Sequence, residues 1–482
     1  MPEDGAGRIA WGTARGRWVL LAAVLGSGVA FLDGTVVNAA LPAVARDFHV
    51  GIDSLQWVLT AYLLTLGSLL VLGGSLGDLF GRRRVFVLGL VGFAVTSLLC
   101  ALAQNAPELI LARALQGIAA AALTPGSLAL LSASFRPDDR GRAIGAWSGL
   151  AGVATAVGPF LGGWLIDAVS WRLVFLVNAP IVAVAVVVTM RHVPESRDDE
   201  DDVRVDVVGA ATLSAGLAGV VYALIEGPAG TSRGAVYACA AGGAVLLVLF
   251  VVVEARQRHA MVPLDVFRSR QFSGANLVTV AVYAALGITT FLVVVHLQEN
   301  LAYSALEAGA ALLPITIIML VGSARAGALA QRIGPRGPMT VGPLIVAAGL
   351  VLLSRIEPGT RYATGVLPGL VVLGIGLALT VAPLTAAVLA AVDEHHMGVG
   401  SAINNAAARI ASLLAIAVLP GVAGLAENFR RGYRAALVIA AVLAAVGGLL
   451  SWLTIRRAAA VQPVPHVPVG PSCHDRCVEA AA

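Results

Sequence analysis

The sequence predicts an all-α integral membrane protein of fourteen spans, arranged as two six-helix bundles plus two additional transmembrane helices placed centrally in the chain. Three observations carry this expectation. First, of 482 residues 58% are hydrophobic and 12% charged, with mean hydropathy +0.87, whereas soluble domains run at about 45–50% apolar and 25% charged. Second, the apolar residues gather in continuous runs of roughly the 20 residues that a helix needs to cross a bilayer. Runs without alternation exclude a transmembrane β-barrel. Third, 54 glycines and 22 prolines are spread through a strongly apolar chain, a load that transmembrane helices accept because neighbouring helices satisfy the freed backbone groups.

Residues 1–16 form a cytoplasmic N-terminus. The first bundle, 17–190, holds spans at 17–42, 55–77, 85–104, 108–134, 141–167 and 172–190. The first of these is too long for a cleaved signal core and reads as a retained anchor. A charged cytoplasmic linker, RHVPESRDDEDDVRVD at 191–206, follows. The two additional helices occupy 207–254, with spans at 207–226 and 233–254, before a second cytoplasmic linker at 255–271. The second bundle, 272–455, contains spans at 272–299, 305–330, 338–354, 363–391, 398–423 and 433–455, and 456–482 is a cytoplasmic tail. An even number of spans puts both termini on one side. With the N-terminus inside, 21 arginines fall in cytoplasmic segments and 8 in outer loops, the bias expected when both termini are cytoplasmic. The other three, Arg113, Arg325 and Arg409, fall within or at the ends of spans.

All 32 basic residues are arginine. Without lysine there is no Walker A loop and no lysine Schiff base, and no catalytic triad, haem-attachment motif or nucleic-acid-binding pattern is legible; the chain is not expected to be an enzyme or to carry a cofactor. Of four cysteines, Cys100 and Cys239 lie in apolar runs and read as small hydrophobes. Cys473 and Cys477 flank His474 and Asp475 in a polar tail; a single cluster lacks the second half of a structural zinc site, so no metal is expected.

The stretch GSGVAFLDGTVVNAALP at 26–42 places Asp33 inside the first span. A charge at the centre of a membrane helix costs about 2.5–3.5 kcal/mol even on lenient insertion scales. Counting from Trp18 as an interface marker at 1.5 Å per residue, Asp33 lies roughly 22 Å along, past the middle of a ~30 Å core, and too deep to snorkel. Burial disfavours an ionised carboxylate and a nearby arginine favours it, so a conformational change could alternate capture and release of a proton. Arg113 in the fourth span is the natural counterpart: permanently charged, it needs an acid, carbonyls or water. A fixed helix-to-helix tie is the alternative reading. In the turn GSLGDLFGRRRVF, glycines permit a tight backbone and Asp78 can pair with the following arginines or cap a helix. GALAQRIGPRG after the tenth span echoes it and suggests an internal repeat, the plan of secondary transporters with a substrate site at the midplane. Gln331 stands there in place of an acid, so no equivalent charge pair is expected.

Gly74, Leu76, Asp78, Gly81, Arg82 and Arg83 match the G-x-L-x-D-x-x-G-R-[RK] signature, and the chain thereby resembles the major facilitator superfamily. LARALQG, with Leu111, Arg113, Gln116 and Gly117, follows in the expected order. So does G-x-x-x-x-x-G-P-x-x-G-G at Gly152, Gly158, Pro159, Gly162 and Gly163, which resembles the antiporter motif of exporters. LDGTVVNAALP, WRLVFLVNAP and the two additional spans resemble the fourteen-helix drug:proton antiporter branch. The resemblance implies a major facilitator fold and ties Arg113 to proton coupling; Asp33, from its depth in the first span, is the expected titrating group.

Further polar residues are candidates for the substrate cavity: Asn38, Gln56, Trp57, Tyr62, Gln116, His296, Gln298, Asn404, Asn405 and Arg409. Each also has a plain reading as an interhelical hydrogen bond or interface anchor. Glu299 and Glu307 are expected to be solvated. The expectation is a monomeric, proton-coupled exporter of small apolar or cationic organic molecules in the cell membrane, its partners being substrate, protons and lipid. An importer on the same fold and a membrane sensor are the alternatives.

Overall fold

A computed structural model describes residues 9–197, 205–257, 260–392 and 397–456. Among the described residues, fourteen helices are long and apolar enough to cross a membrane. In chain order they are α1 (Ala14–Phe48), α2 (Ile52–Phe80), α3 (Arg82–Leu102), α4 (Ala106–Ser134), α5 (Pro137–Ala168), α6 (Leu173–His192), α7 (Val207–Glu226), α8 (Arg233–Arg256), α9 (Arg270–Asn300), α10 (Ala305–Ile333), α11 (Arg336–Leu353), α12 (Tyr362–Leu389), α13 (Gly398–Val422) and α14 (Phe429–Thr454). The Cys473/Cys477 tail and most of the N-terminal segment lie outside the described residues.

Side chains in the connections set the helix starts. Thr13, Asn105, Asp206 and Asn428 accept hydrogen bonds from the first-turn N–H groups of α1, α4, α7 and α14, donors that otherwise have no intrahelical partner. Ser304 and Glu307 form a full capping box at α10, so Glu307 has a structural task beyond solvation.

In the first bundle α1 packs on α4, α5 and α6, and α4 lies against α2 and α3. In the second, α9 packs on α13 and α14, and α12 on α10 and α11. The bundles meet along α2 with α13, α5 with α10, and α1 with α9. Val37, Leu41 and Leu59 share one buried apolar cluster with Phe291, Leu292 and Ile416 of the other bundle. The two additional helices are central in the chain but peripheral in space. α7 and α8 pack on each other, and α7 covers the seam where α2 meets α13, tied by Trp57 Nε1 donating to Glu226 Oε1 at 2.9 Å.

The α2–α3 turn is tighter than the two or three residues the sequence suggests: Gly81 alone separates the helices. Its φ of +104° is left-handed-side backbone that a side chain would strain. Arg82 Nε donates to Asp78 Oδ1 at 2.8 Å. An unforeseen partner comes from the start of the first linker, where Glu195 accepts from the Arg83 backbone N–H at 3.0 Å and its carboxylate pairs with Arg83 and Arg84. The second linker is likewise docked, Val262 N–H donating to Glu254 Oε2 of α8 at 3.0 Å. The echoed turn after α10 keeps the same backbone device at Gly334, φ +86°, with Gln331 exposed.

Candidate functional site

α1 carries Asp33 into the first bundle, α4 and α6 deliver its partners, and α2 and α3 complete the network around them. Arg113 reaches it from α4: Nη1 donates to Asp33 Oδ2 at 2.5 Å and to Gln116 Oε1 at 2.6 Å, while Nε donates to the Val58 carbonyl of α2 at 3.2 Å. The guanidinium lies 4.1 Å from the centre of the Tyr62 ring and 5.8 Å from that of Phe175. Asp33 Oδ1 accepts from Gln116 Nε2 and from Asn178 Nδ2 of α6, both at 3.1 Å. Both amides also donate to Ser97 Oγ of α3, at 2.8 and 3.3 Å. Asp33 is 0% and Arg113 1% exposed. A buried ion pair contributes little net stability, but removing one partner strands a charge and typically costs about 3–5 kcal/mol. The network closes here because α4 runs hard against α2. A Cβ on Gly117 would meet the Tyr62 carbonyl and Thr65 hydroxyl, and Thr65 Oγ1 donates across to the Ala114 carbonyl at 2.7 Å.

The structure thus brings Asp33, Arg113, Gln116 and Tyr62 into one network and disperses the other polar candidates. Gln116 and Tyr62 surround the ion pair with buried side chains. Gln56 Nε2 donates to the Ile416 carbonyl at 2.5 Å and Gln298 Nε2 to the Ala39 carbonyl at 3.1 Å, each joining the two bundles. Trp57 is committed to Glu226. His296 is buried and stacked 3.9 Å from the Tyr433 ring. Asn404 turns toward α9, donating to Thr279 Oγ1 at 2.7 Å and Asn276 Oδ1 at 3.1 Å. Asn38 and Asn405 bond back to carbonyls one turn earlier, those of Gly34 and Ser401. Arg409 is half-buried, its guanidinium 5.7 Å from the Phe31 ring centre.

Gly158, Gly162 and Gly163 lie where helices touch. Added side chains at Gly158 and Gly162 would run into Thr35 and Val36 of α1, and one at Gly163 into the Ala305 carbonyl of α10. In return Gly309 of α10 presses on the Pro159 carbonyl. Gly152, one to two turns earlier, has nothing within 4 Å. Asp167 reinforces this contact by accepting from the N–H groups of Ala305 and Leu306 at 3.1 and 2.8 Å, and Arg46 pairs with Glu299 at 3.2 Å, so Glu299 is engaged between the bundles. These links, with Gln56–Ile416 and Gln298–Ala39, lie toward the face opposite the start of α1 and the end of α14.

Asn178, Ser97 and Phe175 are the members of the ion-pair network that the sequence reading did not single out. Asn178 stands in WRLVFLVNAP, where the α6 helix is interrupted at Val177 between Leu173–Leu176 and Asn178–His192. An asparagine at the start of an apolar run is the signal that was available. Cys100 is a buried small residue as expected, yet its Sγ lies 3.6 Å from Gln116 Oε1 and so borders the network.

A family model described as Major Facilitator Superfamily matches residues 23–416. The chain belongs to that superfamily. Among relatives of this facilitator, a puromycin resistance protein of Streptomyces alboniger is 36% identical over 91% of both chains. A methylenomycin A resistance protein of Bacillus subtilis is 33% identical over 90% of this chain and 93% of its own. A D-xylose–proton symporter has the same fold at TM-score 0.66 and 15% identity, covering 92% of this chain and 98% of that one. The fourteen helices and the resistance-protein relatives agree with the drug:proton antiporter branch of the facilitators.

Proposed function

We propose that this facilitator exports small organic molecules, such as drugs, antibiotics or toxic metabolites, across the cell membrane in exchange for protons, by alternating access and as a monomer without enzymatic activity. The observation that carries the reading is the sealed Asp33–Arg113 pair with its two amide donors. A proton on Asp33 removes the charge that Arg113 and both amides engage, so proton binding and rearrangement of α1, α4 and α6 are linked. The resistance-protein relatives favour the export direction. Arginine bias supports cytoplasmic termini, and the six-plus-two-plus-six division at 17–190, 207–254 and 272–455 fits the packing of α7 and α8 outside the two bundles. With that orientation the conformation is closed outside, at Asp167–Ala305 and Arg46–Glu299. Alternating access requires those links to part while the cytoplasmic ends of α5 and α10 approach. The turn at Asp78, Gly81, Arg82 and Arg83 biases that balance from the cytoplasmic end.

The test is dye accumulation in energised everted vesicles containing the full chain. Dye uptake into such vesicles that collapses on adding a protonophore supports the reading. Uptake that persists without a proton gradient rejects proton coupling, and movement of dye only in the opposite direction rejects export.

A further inference from the structure

Arg409 is a cation near mid-helix with no acid beside it among the described residues. It stands eleven residues into α13, about 16 Å along at 1.5 Å per residue, where α13 packs on α2. A Cβ on Gly67 of α2 would lie 3.2 Å from Arg409 Cβ, and the guanidinium faces Phe31, two residues before Asp33. Its backbone neighbours Asn404 and Asn405 are engaged elsewhere. Among the described residues Arg409 has no carboxylate partner, because the acid at this depth, Asp33, is saturated by Arg113, Gln116 and Asn178. Other acids, such as Asp78, Asp167 and Glu299, sit at helix ends. The same bundle holds a second such cation, Arg325, exposed in an otherwise apolar groove between α10 and α12 that Ile318, Leu329 and Ile375 help to line. An organic cation reaching Arg409 would meet a positive charge with no free counter-ion among the described residues. An anion would meet a guanidinium whose one face rests on an aromatic ring and whose N–H edge remains to donate.

We propose that Arg409 forms an anion subsite between the bundles, and that the preferred cargo is a planar aromatic anion, a carboxylate, phenolate or sulfonate, with Phe31 supplying the stacking surface. This replaces the apolar-or-cationic cargo suggested by sequence and rests on the export reading above. Recognition is by a fixed charge, so the subsite binds whether or not a proton gradient is present.

Two dyes on one xanthene scaffold separate the possibilities: fluorescein, an anion, and rhodamine 123, a cation. Their affinities are measured by fluorescence anisotropy on the purified full chain, without a gradient, for the wild type, Arg409→Gln, Arg409→Lys and Arg409→Glu. The wild type should bind fluorescein at least ~10-fold more tightly than rhodamine 123, and Arg409→Gln should lose ~10-fold or more for fluorescein alone, the scale of a charge-assisted hydrogen bond. Arg409→Lys, which keeps the charge and guards against a folding artefact, should retain part of the preference, and Arg409→Glu should reverse it. Equal binding of both dyes by the wild type, or fluorescein binding unaffected by Arg409→Gln, overturns the proposal. Proteoliposome transport of the two dyes with and without a pH gradient keeps the readings apart: gradient-independent transport with the anion preference intact rejects proton coupling but not the subsite, whereas gradient-driven transport indifferent to Arg409→Gln rejects the subsite but not proton coupling.

Discussion

Arg113 and Arg409 are both arginines carried inside membrane helices, one in each bundle, and the protein treats them in opposite ways. Around Arg113 the first bundle closes a carboxylate, an amide, a backbone carbonyl and an aromatic face, leaving 1% of it exposed. Around Arg409 the second bundle supplies no acid among the described residues, and the side chain keeps a half-buried position over Phe31 of the other bundle. The difference teaches that an arginine inside a membrane helix can be held in two ways. A cation sealed against an acid is neutral as a pair, the arrangement on which the proposed proton coupling rests; a cation with no acid beside it among the described residues keeps its charge, the arrangement on which the proposed anion subsite rests. The cytoplasmic turns differ in the same sense. Gly81 and Gly334 share a positive φ, but among the described residues acids, Asp78 and Glu195, anchor arginines at the first turn and not at the second.

The largest expected effect comes from breaking the sealed pair. Asp33→Asn should reduce protonophore-sensitive efflux to the level of vesicles lacking the protein, while insertion and yield stay normal, because the amide keeps the shape and loses the titration. Asp33→Glu should retain part of the activity. Asp33→Asn and Asp33→Ala both leave Arg113 without a counter-ion and should both lower the melting temperature, Asp33→Ala the more, by the equivalent of about 3–5 kcal/mol, because it also removes the acceptor of Gln116 and Asn178. Wild-type efflux from Asp33→Asn would remove Asp33 from proton coupling.

Arg113→Lys comes next. An ammonium cannot hold Asp33, Gln116 and the Val58 carbonyl at once, and losing one charge-assisted hydrogen bond of about 1.5–3 kcal/mol should slow efflux roughly 10-fold or more. Normal export with an unchanged pH profile would reduce Arg113 to a structural tie. Asn178→Leu sharpens the comparison from the acid's side. It removes one donor to Asp33 and leaves Ser97 with one amide partner, so the melting temperature should fall by the equivalent of about 1–3 kcal/mol and the pH profile of efflux should move. A lower melting temperature with an unmoved profile would make Asn178 a packing residue only.

The smallest effect is expected at the turn. Asp78 is part-exposed, and its bond to Arg82 is worth at most about 1 kcal/mol once solvent screening is included. Asp78→Asn should slow turnover a few-fold for every dye without changing their rank order, because the turn is far from Arg409. A changed rank order would show that the turn reaches the cargo surface.

What the sequence determined by itself follows from the bilayer's demands on a chain. A spanning helix must be long, continuous and apolar, so fourteen runs, their ends within a few residues, and the rarity of a buried Asp33 and Arg113 were legible without coordinates. Motif spacing carried the Asp78–Arg82 pair because it is complete within one turn; it also marked the glycines of α5, but not that they meet α1 and α10. Tertiary structure decided everything that depends on which helix lies beside which. Gln116 and Tyr62 read equally well as cavity residues until α2 and α4 packed them around the guanidinium. Ser97 had no distinguishing pattern and Asn178 only its place at the start of an apolar run, because their chemistry exists only where α3, α4 and α6 surround Asp33. Asn404, Asn405 and Arg409 look like one polar cluster along the chain, yet successive positions on a helix point in different directions. Packing sent Asn404 to α9 and left Arg409 facing Phe31, the separation on which the proposed anion subsite rests.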